Sequence, residues 1–301
     1  MIMKKSVKLR ELFTQSRIIR TIGVYDGLTA ILGKKNGFDA LWASGYEISA
    51  ANGVPDASIL TMTEFLQAAN TINKVTDLPV IADCDTGFGG INNVIRMVQD
   101  YEAAGIAAVC IEDKEFPKKN SFLEGHKLAD MYEFSTKIIA AKNAQSDPDF
   151  IVIARVEALI ANAGMDDALQ RARIYCNAGA DAILIHSKSK NPFEVFEFAS
   201  RWQSIGCENP LIVVPTTYYT VTEKELSANG IKMVIYANQS IRASVAAINH
   251  VMTNIIASAT SVPVENTIAS LNDLFILTGT DKLMATEDWF NQAVSQAKKR
   301  T

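Results

Sequence analysis

Pro79-Val80-Ile81-Ala82-Asp83-Cys84-Asp85-Thr86-Gly87-Phe88-Gly89-Gly90 sets the pattern for the chain: a short apolar run stops on two carboxylates and breaks into a glycine-rich loop. An amphipathic stretch from Asn92 to Ala104 follows, so the unit reads as strand, polar rim and helix. Similar apolar runs lie at Thr21–Tyr25, Phe38–Ala43, Ala107–Ile111, Phe150–Ala154, Asp181–Ile185, Leu211–Val214 and Lys232–Tyr236. Their unbroken apolar character suits strands covered on both faces, as in a parallel sheet. Lys127 to Ala144, Met165 to Asn177 and Pro192 to Gln203 carry helical periodicity between them. Alternating strand and helix predicts an α/β protein.

Eight such units fit a (β/α)8 TIM barrel. A doubly wound open sheet is the alternative, but it gives no reason for a second regularity. The runs end in Asp26, Ser44, Asp83 with Asp85, Glu112 with Asp113, Arg155 with Glu157, His186, Thr216 and Asn238. In a barrel the C-terminal ends of all strands meet on one face, so these polar residues would share a pocket. Glycines after Ala104, Ala178 and Asn229 suit helix C-caps, where the left-handed conformation costs glycine little. Beyond Tyr236 come a helical stretch from Gln239 to about Ser258, a break at Val262 to Val264, and two further helical patterns. The expected organisation is one barrel domain over 1–301, with 259–301 as additional C-terminal helices.

Hydrophobic residues at 48% and charged residues at 21% of the 301 fit a soluble globular protein with a large core. A net charge of -4 and pI near 5.5 give no general attraction to nucleic acid or to an anionic membrane. An anionic substrate must therefore be held by local cations, backbone amides or a metal. Cys84, Cys110, Cys176 and Cys207 form no C-x-x-C pair, which suggests reduced thiols and a cytoplasmic address. Neither a signal-peptide core nor an apolar run of membrane-spanning length is expected.

Side chains alternate along a strand, so Asp83 and Asp85 should face the same side if the strand persists that far. With Glu112 and Asp56 they make an oxygen-rich group of the kind that takes Mg2+ partly through water. Simple loop capping by a carboxylate pair is the competing account, and crowding of like charge at neighbouring strand ends tilts the balance toward a cation.

Glu112-Asp113-Lys114-Glu115-Phe116-Pro117-Lys118-Lys119-Asn120-Ser121 leaves the fourth strand as a polar loop. This stretch resembles E-D-K-x-x-x-K-x-N-S, the signature of phosphoenolpyruvate mutases in the isocitrate lyase and phosphoenolpyruvate mutase superfamily. The resemblance runs from about Ile22 to about Ser244, through Trp42-Ala43-Ser44-Gly45, Asp83 to Gly89, Ile153 to Ala158, Ala180 to Lys188, Val214-Pro215-Thr216 and Ala237 to Ser244. It implies Asp83 as a direct magnesium ligand and Asp56, Asp85 and Glu112 as holders of the metal's waters. It further implies substrate contacts from Trp42, Ser44 and the amides of Gly45 and Tyr46, with Tyr46 a departure from the aliphatic residue usual there. Lys118, Asn120 and Ser121 correspond to a gating loop, and Arg155 and His186 to residues near the phosphoryl group.

The implied reaction interconverts phosphoenolpyruvate and phosphonopyruvate, a step of phosphonate biosynthesis. Carbon–carbon lyases of the superfamily carry K-K-C-G-H in the equivalent loop, which this chain lacks. A Schiff-base aldolase finds no desolvated lysine on paper. Phosphonopyruvate hydrolase is the runner-up; there a threonine tends to replace the loop asparagine, so Asn120 favours the mutase. A catalytically silent binding barrel would lack charged strand ends. The resemblance also suggests a homodimer or homotetramer that exchanges C-terminal helices between subunits.

Overall fold

The structure, a computed structural model, describes residues 3–298. Strands β1 Ile19–Val24, β2 Ala40–Ala43, β3 Val80–Asp83, β4 Ala108–Glu112, β5 Ile151–Val156, β6 Ala182–Ile185, β7 Leu211–Val213 and β8 Ile231–Tyr236 form a closed barrel in sequence order. Neighbouring strands are parallel, and β1 closes against β8. Each strand falls on one of the eight apolar runs. The connecting helices are α1 Lys5–Thr14, α2 Gly27–Lys35, α3 Gly45–Ala51, α4 Met62–Lys74, α5 Ile91–Ala103, α6 Met131–Ala144, α7 Met165–Asn177, α8 Phe193–Ser204 and α9 Glu223–Ala228. Helix α6 begins later than Lys127 because Lys127 and Leu128 instead pair back with Glu115 and Lys114. Gly105, Gly179 and Gly230 take positive φ where C-caps were expected.

Two apolar clusters follow from strand alternation. One lies between barrel and helices and includes Val80, Ala82, Val109, Ile111, Val152 and Ala154. The other fills the barrel with the alternate residues, among them Trp42, Ile81, Cys110, Ile153, Leu184 and Ile235. Leu9 and Leu12 of α1 join this inner plug. Each fully buried aliphatic side chain contributes roughly 1.5–3 kcal/mol. One step of two residues beyond the plug, the same parity turns polar: Ser44 follows Trp42, Asp83 follows Ile81, Glu112 follows Cys110, Arg155 follows Ile153, and His186 follows Leu184.

The chain divides into two compact units, the first running to Arg242 and the second starting at Ala243. Helices α10 Gln239–Ser258, α11 Leu271–Thr278 and α12 Thr280–Lys298 complete the fold. In the second unit, Ser270 and Asp273 form a capping box and Gly279 ends α11 in the left-handed conformation. Exposed apolar side chains include Ile248, Met252, Phe275, Ile276, Trp289 and Phe290. Among the described residues, no helix is long and apolar enough to cross a membrane.

Near the C-terminal rim, Ser44 caps α3 through Glu47 N–H and donates its own hydroxyl to Ala237 O. Glu47 is fully buried; its Oε1 accepts from Ile241 N–H at 2.9 Å, while Oε2 has no hydrogen-bond partner. Glycine is required at position 23 by close approach: a Cβ there would stand 2.5 Å from Ala237 O and 2.8 Å from Glu47 Oε2. Burial pushes the Glu47 carboxyl up to about 7 from 4.5, against the two backbone amides that favour its charge. Between those values the folded chain holds a proton that the unfolded chain has lost, so stability falls as pH rises through the window. Glu47→Gln should therefore gain roughly 3 kcal/mol on the wild type between pH 4.5 and pH 8. Urea denaturation of both proteins at the two pH values measures it, and an unchanged difference would refute the assignment.

Candidate active site

One cavity of about 50 Å3 at the C-terminal rim is lined by Trp42, Ser44, Tyr46, Asp56, Asp83, Lys118, Asn120, Ser121, Arg155 and His186. Phe122, Val214, Thr216, Ala237 and Asn238 complete its wall. Gly45 contributes its backbone: its N–H donates to Asp83 Oδ2 at 3.2 Å and so orients that carboxylate. Asp85 and Glu112 do not line the cavity but are buried beside it, ion-paired to Lys118 and Arg155, which do.

At the acidic end, strand β3 stops at Asp83, and Asp85 turns left-handed with φ 48°. Strand alternation therefore does not explain how Asp85 joins the group; the turn does. Lys118 Nζ lies 2.7 Å from Asp56 Oδ1 and 2.9 Å from Asp85 Oδ1. Asn120 Nδ2 donates to Asp56 Oδ2 at 2.8 Å. Ser58, held at φ 55°, donates to Asp85 Oδ2 and accepts from Lys118 N–H. The segment around Asp56 and Ser58 thus receives the loop through three separate contacts.

Burial raises the Asp83 carboxyl above its ordinary value, with Lys118 and Arg155 only partly offsetting it. Burial likewise pushes Asp85 up to about 7, reinforced by Asp83, Asp56 and Glu112. Asp56 goes the other way: burial would raise it, but Lys118 and Asn120 hold it below the usual carboxylate value. For Lys118 the surrounding acids outweigh burial and keep its ammonium charged well above the ordinary lysine value. Lys118 thus sits as a cation between Asp56 and Asp85, while Lys114 and Arg155 face Glu112.

The acids fit a hard divalent cation. Both oxygens of Glu112 are buried without a hydrogen-bond partner, with Lys114 and Arg155 no nearer than 3.3 Å, while Asp56 Oδ1 and Asp85 Oδ1 meet the Lys118 ammonium. Among the described residues, no three acids, histidines or cysteines converge into a ready-made cage. Dispersed carboxylates suit magnesium, which keeps several waters and takes few direct protein ligands.

At the opposite end, Glu157 collects the cations. It is fully buried; Oε1 meets Arg155 Nε at 2.5 Å and His186 Nδ1 at 2.7 Å, while Oε2 accepts from Ser121 at 2.9 Å and pairs with Lys114 at 2.9 Å. Burial alone would raise its pKa, but Arg155, His186 and Lys114 hold it well below the carboxylate range. Arg155 Nη2 also reaches Ser121 Oγ and His186 Nδ1. Arginine can only donate and carboxylate only accept, so Nδ1 cannot satisfy both neighbours. We place the proton on Nδ1, donated to Glu157, because that contact is shorter and charge-assisted. Burial lowers the His186 pKa, so the ring is neutral and Nε2 is an acceptor.

Lys114, Ser58 and Phe122 belong to this site although the sequence does not single them out, and Glu157, read there only as a strand-end residue, is its central acceptor. Lys114 lies inside the loop signature, where the sequence marks no desolvated lysine, and yet it is 3% exposed. Phe122 meets the His186 ring edge-on at 6.3 Å. Nothing in the sequence marks Ser58, whose role depends on its backbone conformation.

A parallel barrel with a charged rim pocket beneath a polar loop defines the class: a (β/α)8-barrel enzyme. The sequence family of phosphoenolpyruvate phosphomutases matches residues 9–256, and the chain belongs to that family. It is 40% identical to the phosphoenolpyruvate phosphomutase of Tetrahymena pyriformis over 282 residues, 93% of each chain. The crystal structure of phosphoenolpyruvate phosphomutase from Streptomyces platensis subsp. rosaceus matches with TM-score 0.93 and 49% identity, covering 95% of this chain and 99% of that one. Phosphonopyruvate hydrolase in complex with oxalate and Mg++ matches with TM-score 0.89 and 40% identity, covering 95% and 99%.

Glu157→Ala should strand Arg155, Lys114 and His186 without their shared acceptor. We expect a stability loss of about 3–5 kcal/mol, as for breaking one side of a buried ion pair. Chemical denaturation of the purified variant checks this; a loss below about 1 kcal/mol would place the network in the range of a surface pair.

Proposed function

We propose that this enzyme is a phosphoenolpyruvate mutase that interconverts phosphoenolpyruvate and phosphonopyruvate for phosphonate biosynthesis. The observation that carries the reading is the placement of Asn120. It lies in the cavity with Arg155 and His186, on a loop tied to Asp56, and it is an amide rather than a base. In the phosphonopyruvate-to-phosphoenolpyruvate direction the carbon–phosphorus bond breaks, its electrons pass to a pyruvate enolate, and the enolate oxygen captures the phosphoryl group. Both fragments must stay in register and water must stay out.

Arg155 and the Asn120 amide supply donors to phosphoryl oxygens whose charge spreads during transfer. His186, neutral and fixed by Glu157, limits the room around that group. Ser44, Tyr46 and Trp42 form the wall for the pyruvate end, and Gly45 orients Asp83. Asp83 would hold Mg2+ directly, with Asp56, Asp85 and Glu112 holding its waters. Bound there, the ion stabilises the negative charge of the enolate and carboxylate. Lys118 and Ser121 fasten the loop, Lys118 to the acids and Ser121 to Glu157. The exposed apolar side chains of the second unit support a homodimer or homotetramer, since faces of that kind usually meet a partner. A cytoplasmic location agrees with the four free cysteines.

Phosphorus NMR with phosphonopyruvate and Mg2+ separates phosphoenolpyruvate, inorganic phosphate and unused substrate. The wild type should give phosphoenolpyruvate; inorganic phosphate as the main product would make it a phosphonopyruvate hydrolase. Asn120→Ala should lose about 10²-fold in isomerisation, the usual cost of one transition-state donor. Asn120→Asp should fail too, because its carboxylate would face both Asp56 and the phosphoryl group. Near-wild-type isomerisation by both variants would make Asn120 a bystander. Asp83→Ala should keep the fold and lose activity, and full wild-type turnover after exhaustive chelation would refute the metal assignment.

A further inference from the structure

Behind the cavity wall, and not lining it, three buried polar side chains converge. Asp113, the residue after β4, is fully buried. Its Oδ2 accepts from Tyr175 Oη at 2.7 Å and from Arg171 Nη1 at 3.1 Å, both donors coming from α7. Its Oδ1 accepts from Glu157 N–H at 2.8 Å. Arg171 Nη1 also donates to Ala129 O at 2.9 Å, and Arg171 Nε is anchored by Asp167 at 2.6 Å.

These bonds converge on the two ends of the loop over the cavity. Asp113 opens that loop and Ala129 closes it, with Ala129 N–H donating to Asp113 O at 2.9 Å. Asp113 N–H in turn donates to Arg155 O at 3.2 Å. Just inside this neck, Lys114 pairs with Leu128 and Glu115 N–H donates to Lys127 O. The same carboxylate therefore fixes the neck of the loop and the backbone of Glu157. Glu157 then takes Arg155 and His186 from the fixed wall and Lys114 and Ser121 from the loop.

We propose that Asp113, Arg171 and Tyr175 form a positioning hub that registers the loop against the phosphoryl end of the site, so that transfer outpaces attack by water. The hub touches no reacting atom. It acts by holding two things at one point: the hinge about which the loop swings, and the carboxylate on which Ser121 of the loop lands. A buried carboxylate with three donors is a stiff reference, because each bond is charge-assisted and none faces solvent. Loosening it lets the loop close out of register. Phosphoryl groups would then be lost to water, leaving pyruvate and inorganic phosphate in place of phosphoenolpyruvate. The water-leak readout rests on the mutase reading above; the loop readout does not.

The test uses full-length Tyr175→Phe, Arg171→Lys and Arg171→Met. Tyr175→Phe keeps the ring that packs on Phe134 at 4.7 Å, and Arg171→Lys keeps the charge without the fork. Val195→Ala, a buried site on α8, is the control for general destabilisation. By phosphorus NMR, kcat for isomerisation should fall about ten-fold or more in Tyr175→Phe and Arg171→Met, with KM little changed. The fraction of turnovers ending as inorganic phosphate should rise in both, and Arg171→Lys should recover part of the loss. That fraction does not depend on how much enzyme is folded, so a merely structural defect leaves it unmoved. Independently, trypsin should cut the ligand-free variants faster at Lys118, Lys119 or Lys127 than it cuts wild type or Val195→Ala. Wild-type partition together with wild-type loop protection would overturn the hub, as would loop cleavage no faster than in Val195→Ala. A wild type that makes no phosphoenolpyruvate would overturn the mutase reading alone, with trypsin cleavage still deciding the hub.

Discussion

Glu157 is the constraint on which the rest of the site depends. A carboxylate buried without water must find cations and donors close by, or it will not remain ionised. Here it finds Arg155 and His186 at one oxygen and Ser121 and Lys114 at the other. Arg155 and His186 belong to the barrel rim, whereas Lys114 and Ser121 belong to the loop. Satisfying one buried charge therefore fixes the wall, the loop and the distance between them. The same demand explains why a lysine from a polar loop, Lys114, is buried almost completely: its charge has nowhere better to go.

The acidic end obeys the same rule with opposite sign. Asp56, Asp83, Asp85 and Glu112 crowd together, and Lys118 is drawn among them. Burial raises the pKa of Asp83 and Asp85, the neighbouring carboxylates add to it, and Lys118 offsets it only in part. Protonation is one way to relieve such crowding and a divalent cation is another. Because Lys118 arrives on the loop, the charge balance of the acid group is coupled to whether the loop is down. A cation bound there would compete with Lys118 for the same carboxylates, and one sequence segment, Glu112 to Ser121, supplies both an acid and the lysine.

Most of the fold was legible because strand burial leaves a direct imprint on sequence. Ile81 and Asp83, Cys110 and Glu112, Ile153 and Arg155, Leu184 and His186 are each two residues apart, so the side that packs the barrel also points to its mouth. Where backbone geometry departs from that period, legibility ends. Asp85 joins the acids through a left-handed turn rather than by alternation, and Ser58 is placed by a positive φ that no local motif announces. Helix α6 starts after Lys127 because long-range pairing of the loop neck outcompetes the helical pattern. The sequence does not mark Lys114 as desolvated because burial of a charge depends on partners such as Glu157, more than forty residues away in sequence. The division of the chain at Arg242 is likewise a property of contacts and not of composition.

The loop also bears on why a mutase and a hydrolase can share this scaffold. Both reactions begin by breaking the same carbon–phosphorus bond, and they differ in which oxygen meets the phosphoryl group. A barrel rim cannot make that choice alone, since its strand ends are open to solvent on one side. The choice falls to what covers them. In this chain the covering residues are an amide, Asn120, and an aromatic ring, Phe122, neither able to activate water, and the loop carrying them is fastened at both charged ends of the cavity. Asp56 holds Asn120 through a neutral donor and Lys118 through a charged one, and Asp85, Ser58 and Glu157 hold the same loop. In the proposed mechanism, the charge pairs that bind the loop would also keep water out, which would put the selectivity of the site in the register of the loop more than in any single group beneath it.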